Sequence, residues 1–173
     1  VGRYETSLKT GVVGSKINVT PMIAYVGTET SSDNGNLWYG MYNKQDSNKN
    51  IRNPYYNSTA VVSSMIWGSQ YDAMLNWALT GNEAYMVFER TGNHSGSVAK
   101  TGAYGSDIMN NIFDLSANRM ESTQCGRNIG QRVNYGGHYS SNNTYIICGK
   151  NPTDPTGNVN LGSRLSLYIR TSN

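Results

Sequence analysis

The sequence predicts an α+β fold with few helices, short antiparallel strands and much irregular loop. Three observations predict it. The clearest helical spacing of apolar residues lies in SQYDAMLNWAL, residues 69–79. The remaining apolar pieces are short and are separated by clusters of Asn, Ser, Asp and Gly that favour turns. The chain closes on RLSLYIR, residues 164–170, where Leu165, Leu167 and Ile169 alternate with Ser166, Tyr168 and Arg170 as in a half-buried strand.

In chain order, VGRYE at 1–5 reads as a short opening or edge strand. Residues 6–64 are irregular, with turn clusters SSDNGN (31–36) and NKQDSNKN (43–50) around the apolar pieces INV, MIAYV, LWYGMY and AVV. In the helix, Tyr71, Met74, Leu75 and Ala78 share the buried face and Trp77 flanks it. Ser69 and Asp72 resemble a capping box at its start, and Thr80-Gly81-Asn82 stops it. EAYMVFER (83–90) is compatible with a strand or with continued helix. Residues 91–107 form a Gly/Ser-rich loop, NNIFDLSAN (110–118) an apolar turn segment, and RVNYGG (132–137) a strand. GRYE (2–5) and the final strand are expected to pair, bringing the two ends together.

Composition narrows the function classes. At 173 residues the chain suits one domain. Charged residues are only 14%, well under the usual quarter or so, and there are 13 Tyr against 2 Phe. Tyrosine pairs a rigid apolar ring with a hydrogen-bonding tip, which suits a contact surface. The net charge of +3 comes without a Lys/Arg run, which argues against nucleic acid as a partner. No stretch approaches the ~18 apolar residues of a membrane helix, so no membrane insertion is expected.

Groups that carry chemistry are sparse. Cys125 and Cys148 fit neither a disulfide-dense scaffold nor a zinc site; a pair and a free core thiol both remain open. His94 and His138 are too few and too far apart in sequence for a metal site, and no EF-hand loop occurs, so neither metal nor cofactor is expected. The nucleophile elbow G-x-S-x-G is absent. Asp107, Asp114 and Glu121 are candidates for an acid/base pair, but for Asp114 and Glu121 bonding to backbone donors in a turn-rich core is favoured.

Five pieces occur in a specific order: GRYE (2–5), MIWGSQYDAMLNW (65–77), NNIFDLSAN (110–118) followed by Arg119 and Glu121, RVNYGGHY (132–139) and GSRLSLYIR (162–170). Together they resemble the formylglycine-generating-enzyme-like, or sulfatase-modifying-factor, branch of the C-type lectin fold. The resemblance covers nearly the whole chain and implies a single C-type lectin-like domain over 1–173. The family's catalytic branch resembles a copper-dependent oxidase with a close pair of late cysteines. Here Cys148 is late but Cys125 lies far upstream, so no enzymatic activity is expected. The binding branch includes the variable proteins of diversity-generating retroelements, in which the C-terminal part of the fold is a fixed frame for exchangeable side chains. Two departures stand out. Met120-Glu121-Ser122 occupies the place of a Trp-Glu-Trp-like segment, and Gly162-Ser163-Arg164 that of Gly-Phe-Arg.

The resemblance implies a variable ligand-binding region over about 122–170. Within it, NYGGHYSSNNTYIICGK (134–150) reads as half frame and half display, with Gly136 and Gly137 allowing a tight turn or a close backbone approach. The expected ligand-binding residues are Tyr135, His138, Tyr139, Ser141, Asn142, Asn143, Tyr145 and Ile146, extended by Lys150, Asn151, Asp154, Thr156, Asn158 and Asn160. The implied function is non-enzymatic binding of a protein or cell-surface ligand, outside the cell, on a bacterial surface or a phage particle. The alternatives are a surface adhesin or glycan-binding domain without hypervariability and, further off, a sulfatase-modifying-type oxidase.

Overall fold

A computed structural model of the chain describes residues 1–9, 12–22, 53–55, 57–80, 92–105, 107–126, 132–140, 150–153 and 160–171. These residues build ten short strands and one helix, an α+β arrangement in which nearly all strand pairs are antiparallel.

Strands β1 (Thr6–Lys9) and β2 (Val12–Ser15) form a hairpin with Thr6 opposite Ser15. Strand β3 (Val61–Met65) leads into helix α1 (Gly68–Leu79). Two-residue strands β4 (Ile108–Met109) and β5 (Ile112–Phe113) follow as a tight hairpin. Its turn is Asn110-Asn111, with φ of 46° and 64°. Both central residues have positive φ, as the turn that matches strand twist requires, and asparagine tolerates that region better than most residues. Strands β6 (Met120–Gly126), β7 (Arg132–Tyr135), β8 (Lys150–Thr153) and β9 (Leu161–Ser163) make the largest sheet, in the order β8-β7-β6-β9. Only the β6–β9 pair in it is parallel. Arg164 then carries the chain out of this sheet into β10 (Leu165–Ile169), which pairs with β3, Leu165 opposite Met65 and Ile169 opposite Val61.

The helix follows its apolar spacing. Tyr71, Met74, Leu75 and Ala78 are buried, while Trp77 is 57% exposed. They pack with Ile66, Met109, Ile112, Leu115 and Tyr135, and the Tyr71 and Tyr135 rings stack with centroids 4.2 Å apart. A second cluster, Val13, Met22, Met65, Met120, Leu161 and Leu165, lies between the first hairpin and the β9–β10 junction.

Several expectations are corrected. The helix begins at Gly68, one residue before the expected Ser69, and Trp67 takes the N-cap position. The Trp67 N–H donates to Gln70 Oε1 at 2.9 Å, so a glutamine performs the backward half of a capping box where the Ser69/Asp72 pair was expected. Residues 1–5 are not a strand; the first strand starts at Thr6. The N-terminal residues meet the end of the chain through the Gly2 N–H bond to Leu165 O (2.6 Å) and the Arg164 side chain, whereas the strand partner of β10 is β3. The alternation in β10 does not bury one apolar face: Leu165 and Ser166 are buried, but Leu167 and Ile169 are 46% and 84% exposed. Among the described residues β10 has one neighbouring strand, and its second half runs out past the core with that single partner. The segment 83–90 lies outside the described residues. Among the described residues no helix is long and apolar enough to cross a membrane.

Candidate functional site: a surface loop on a buried polar frame

The connection between β7 and β8 is where the expected binding residues concentrate. Tyr135 and Lys150 are the last matched pair of these two strands, and of the residues between them 136–140 are described. The start of this connection is fixed by backbone bonds. The Gly137 N–H donates to Ser116 O (2.9 Å), the Tyr139 N–H donates to Asn118 O (3.0 Å), and Tyr139 O accepts the Gly96 N–H (2.9 Å). Gly136 makes this approach possible. Its φ is +74°, and a Cβ there would sit 2.7 Å from Leu115 O.

Asn118 anchors the approach from beneath. Its backbone is left-handed, with φ of 81°. Its side-chain oxygen accepts from Asn93 Nδ2 (2.9 Å) and the Ala99 N–H (2.8 Å). Its amide nitrogen donates to Glu5 Oε2 (2.7 Å) and Ala99 O (3.3 Å). All four bonds available to a side-chain amide are used. Asn118 therefore ties the N-terminal segment, the 93–99 loop and the start of the β7–β8 connection together.

Behind it lies a set of buried charges. Glu121 is fully buried and accepts from Arg164 Nη2 at 2.5 Å and from the Tyr71 hydroxyl at 3.0 Å. Arg164, also fully buried, donates as well to the carbonyls of Gly2, Arg3, Phe113 and Asp114 at 2.7–3.3 Å. Glu5 Oε1 accepts the Arg119 N–H (2.9 Å), Asp107 accepts the Ser116 N–H with both oxygens (3.1 Å each), and Asp114 Oδ2 accepts the Gly102 N–H (2.8 Å). Burial pushes the carboxyls up: Glu5, Asp107 and Glu121 lie above their ordinary range and Asp114 is raised to about 6. Burial also works against the charge of Arg164, but Glu121, Tyr71 and Glu5 more than offset it and hold the guanidinium above its ordinary value. Asp107 and Asp114 thus bond to backbone donors, the role favoured from sequence for Asp114, whereas Glu121 bonds to the side chains of Arg164 and Tyr71 and not to the backbone donors expected for it.

The expected binding residues fall into three groups. His138 and Tyr139 are partly buried at the base of the loop, with ring centroids 6.2 Å apart and nearly perpendicular. His138 Nδ1 is 2.8 Å from Ser140 Oγ, and burial followed by the charge of His94 lowers its pKa. Lys150 and Asn151 are placed by their backbone in β8, opposite Tyr135 and Asn134, and Asn160 is partly buried with its carbonyl accepting the Met120 N–H (2.9 Å). Ser141, Asn142, Asn143, Tyr145, Ile146, Asp154, Thr156 and Asn158 lie outside the described residues. Tyr135 is a correction. It is 2% exposed, stacked on Tyr71, and its hydroxyl donates to Gly68 O at 3.2 Å, so it belongs to the core and not to a display surface.

Among the described residues no group of three or more His, Cys, Asp and Glu side chains could hold a metal ion. Cys125 is a free thiol whose sulfur accepts the Gly68 N–H at 3.2 Å, a packing role at the start of α1; Cys148 lies outside the described residues. Glu5, Asn118 and Arg164 are the frame residues that sequence reasoning did not assign roles. The signal was faint: a carboxylate, an amide and a guanidinium each sit inside a stretch that otherwise reads as apolar or turn. Comparison with protein-family models, curated proteins and solved structures finds no match to this chain.

Proposed function

We propose that the chain is a non-enzymatic ligand-binding protein of the C-type lectin fold. In this reading it presents a changeable surface from the β7–β8 and β8–β9 connections, as a variable protein of a diversity-generating retroelement would. The observation that carries the reading is the junction at Asn118. The buried network through Glu5, Asn118, Glu121 and Arg164 stops where Tyr139 begins. A buried frame in which Asn118 and Glu121 are fully engaged, beneath a Tyr/Asn/Ser-rich loop, lets side chains on the loop vary without breaking those bonds. The ligand is a protein or cell-surface molecule met outside the cell, on a bacterial surface or a phage particle.

Alanine replacement of Tyr139, Asn143 and Tyr145 tests this. The expected result is an unchanged unfolding midpoint and a lost ligand. Unfolding of these variants would make the loop core and remove the reading's support. A second check lies in the surrounding DNA. A near-copy of the segment encoding about 122–170, differing mainly at adenines and lying beside a reverse transcriptase, is expected. Its absence, with the loop still binding, would favour an adhesin of fixed sequence.

A further inference from the structure

A groove of about 630 Å³ lies between helix α1, the β4–β5 turn and the N-terminal segment, lined by residues different from those of the display loop. Its apolar floor is Met74 and Ile112, 6% and 8% exposed. One wall is the Trp77 indole, 57% exposed on a helix whose Tyr71, Met74 and Leu75 side chains are buried. The rim carries Arg3, Gln70 and Asn111.

The rim has a definite polarity. Asn111 Oδ1 accepts from Arg3 Nη2 (3.1 Å), and Gln70 Oε1 accepts the Trp67 N–H (2.9 Å). Each carbonyl oxygen already accepts one bond, and both amides still have N–H to offer. The Arg3 guanidinium is held over Phe113 and Tyr4, 5.2 and 5.8 Å from their ring centroids, and among the described residues it is the one charged side chain lining the groove. The turn that carries Asn111 is itself fixed to the helix, because Asn110 Nδ2 donates to Ala78 O (3.1 Å) and Trp77 O (3.3 Å).

We infer that this groove is a second binding site, for a pyranose that bears a carboxylate. The apolar C–H face of the sugar ring lies on the indole, the carboxylate meets Arg3 in a charge-assisted bond, and hydroxyl and ring oxygens accept from the N–H groups of Gln70 and Asn111. The volume falls within the range of small-ligand pockets, about 300–1,000 Å³.

The test follows the Trp77 indole N–H in nitrogen-15 NMR spectra of the full chain, its signal assigned from a Trp77→Phe variant. N-acetylneuraminic acid and glucuronic acid are titrated separately, with glucose as the neutral comparator and a short Asp/Glu peptide as the competing class. Saturable movement is expected with the acidic sugars, with a Kd on the order of a millimolar, and about tenfold weaker or absent with glucose. Trp77→Ala, at an exposed position, should abolish binding at an unchanged melting temperature. Asn111→Asp, which places a negative charge on the rim, should weaken the acidic sugars while sparing glucose. No movement with either acidic sugar up to tens of millimolar, an equal response to glucose, or a response to the peptide alone would each overturn the assignment. Any of these results leaves the display-loop reading intact, since the two sites share no residue.

Discussion

Arg164 and Glu121 form an ion pair in which neither side chain touches solvent. The same guanidinium holds four backbone carbonyls from the N-terminal segment and the end of β5. Removing Arg164 therefore takes a bonding partner from a carboxylate and four carbonyls at once, of which Arg3 O keeps the Phe113 N–H. Arg164→Met is expected to destabilise the fold by about 3–5 kcal/mol, read as a lower urea midpoint. Adding Glu121→Gln should not rescue it, because the carbonyls still lack that partner. A double variant near wild-type stability would show that the pair, and not the carbonyl cradle, sets the cost.

The buried carboxyls give stability an unusual pH dependence. Glu5, Asp107 and Asp114 have folded-state pKa values above the ordinary carboxyl range, Asp114 at about 6. The native state then binds more protons than the unfolded chain between about pH 4 and pH 6, so stability falls as pH rises through that window. A higher urea midpoint at pH 5 than at pH 8 is the expected result. A midpoint that climbs over the same interval would mean that these carboxylates are stabilised in their ionised form in the folded protein.

Tyr135 and Tyr139 should separate core from rim. Tyr135→Ala removes a buried ring and is expected to cost about 3–5 kcal/mol, and Tyr135→Phe about 1 kcal/mol for the lost bond to Gly68 O. Tyr139→Ala, on a partly buried side chain, should change stability far less while affecting ligand binding. Thermal melts of the three variants check the order.

Gly136 is held at a φ of +74°, and a Cβ there would lie 2.7 Å from Leu115 O. Gly136→Ala combines backbone strain with a clash against backbone that cannot rotate away. A loss of about 2 kcal/mol or more is expected by urea titration, and the shift should be larger than that of alanine at the neighbouring, partly buried His138.

The helix was legible in the sequence because its signal is local: Tyr71, Met74, Leu75 and Ala78 lie on one face whatever the helix packs against. Strand β7 was legible for a similar reason. The outward run of β10 was not, because alternation in Leu165–Ile169 specifies two faces but not which neighbour covers them. Tyr135 was misplaced because its sequence neighbours are polar, whereas its burial is decided by Tyr71, 64 positions away. Glu5, Asn118 and Arg164 are three isolated polar residues whose significance exists only once the fold has joined them. The loop base was partly legible, since the paired glycines at 136 and 137 announced a close backbone approach without naming Ser116 and Leu115 as what is approached.

The span of the buried network also bears on how the chain reaches its fold. Glu5 bonds to Asn118 and Arg119 across 113 and 114 positions, and Arg164 reaches Gly2 across 162. Contacts between residues so distant in sequence require large loops to close before they contribute, which slows folding. While the chain is still on the ribosome, Glu5, Asp107 and Glu121 must wait without their shared cation until residue 164 has emerged. The interior therefore locks late, only after residues 2 to 164 have all been made.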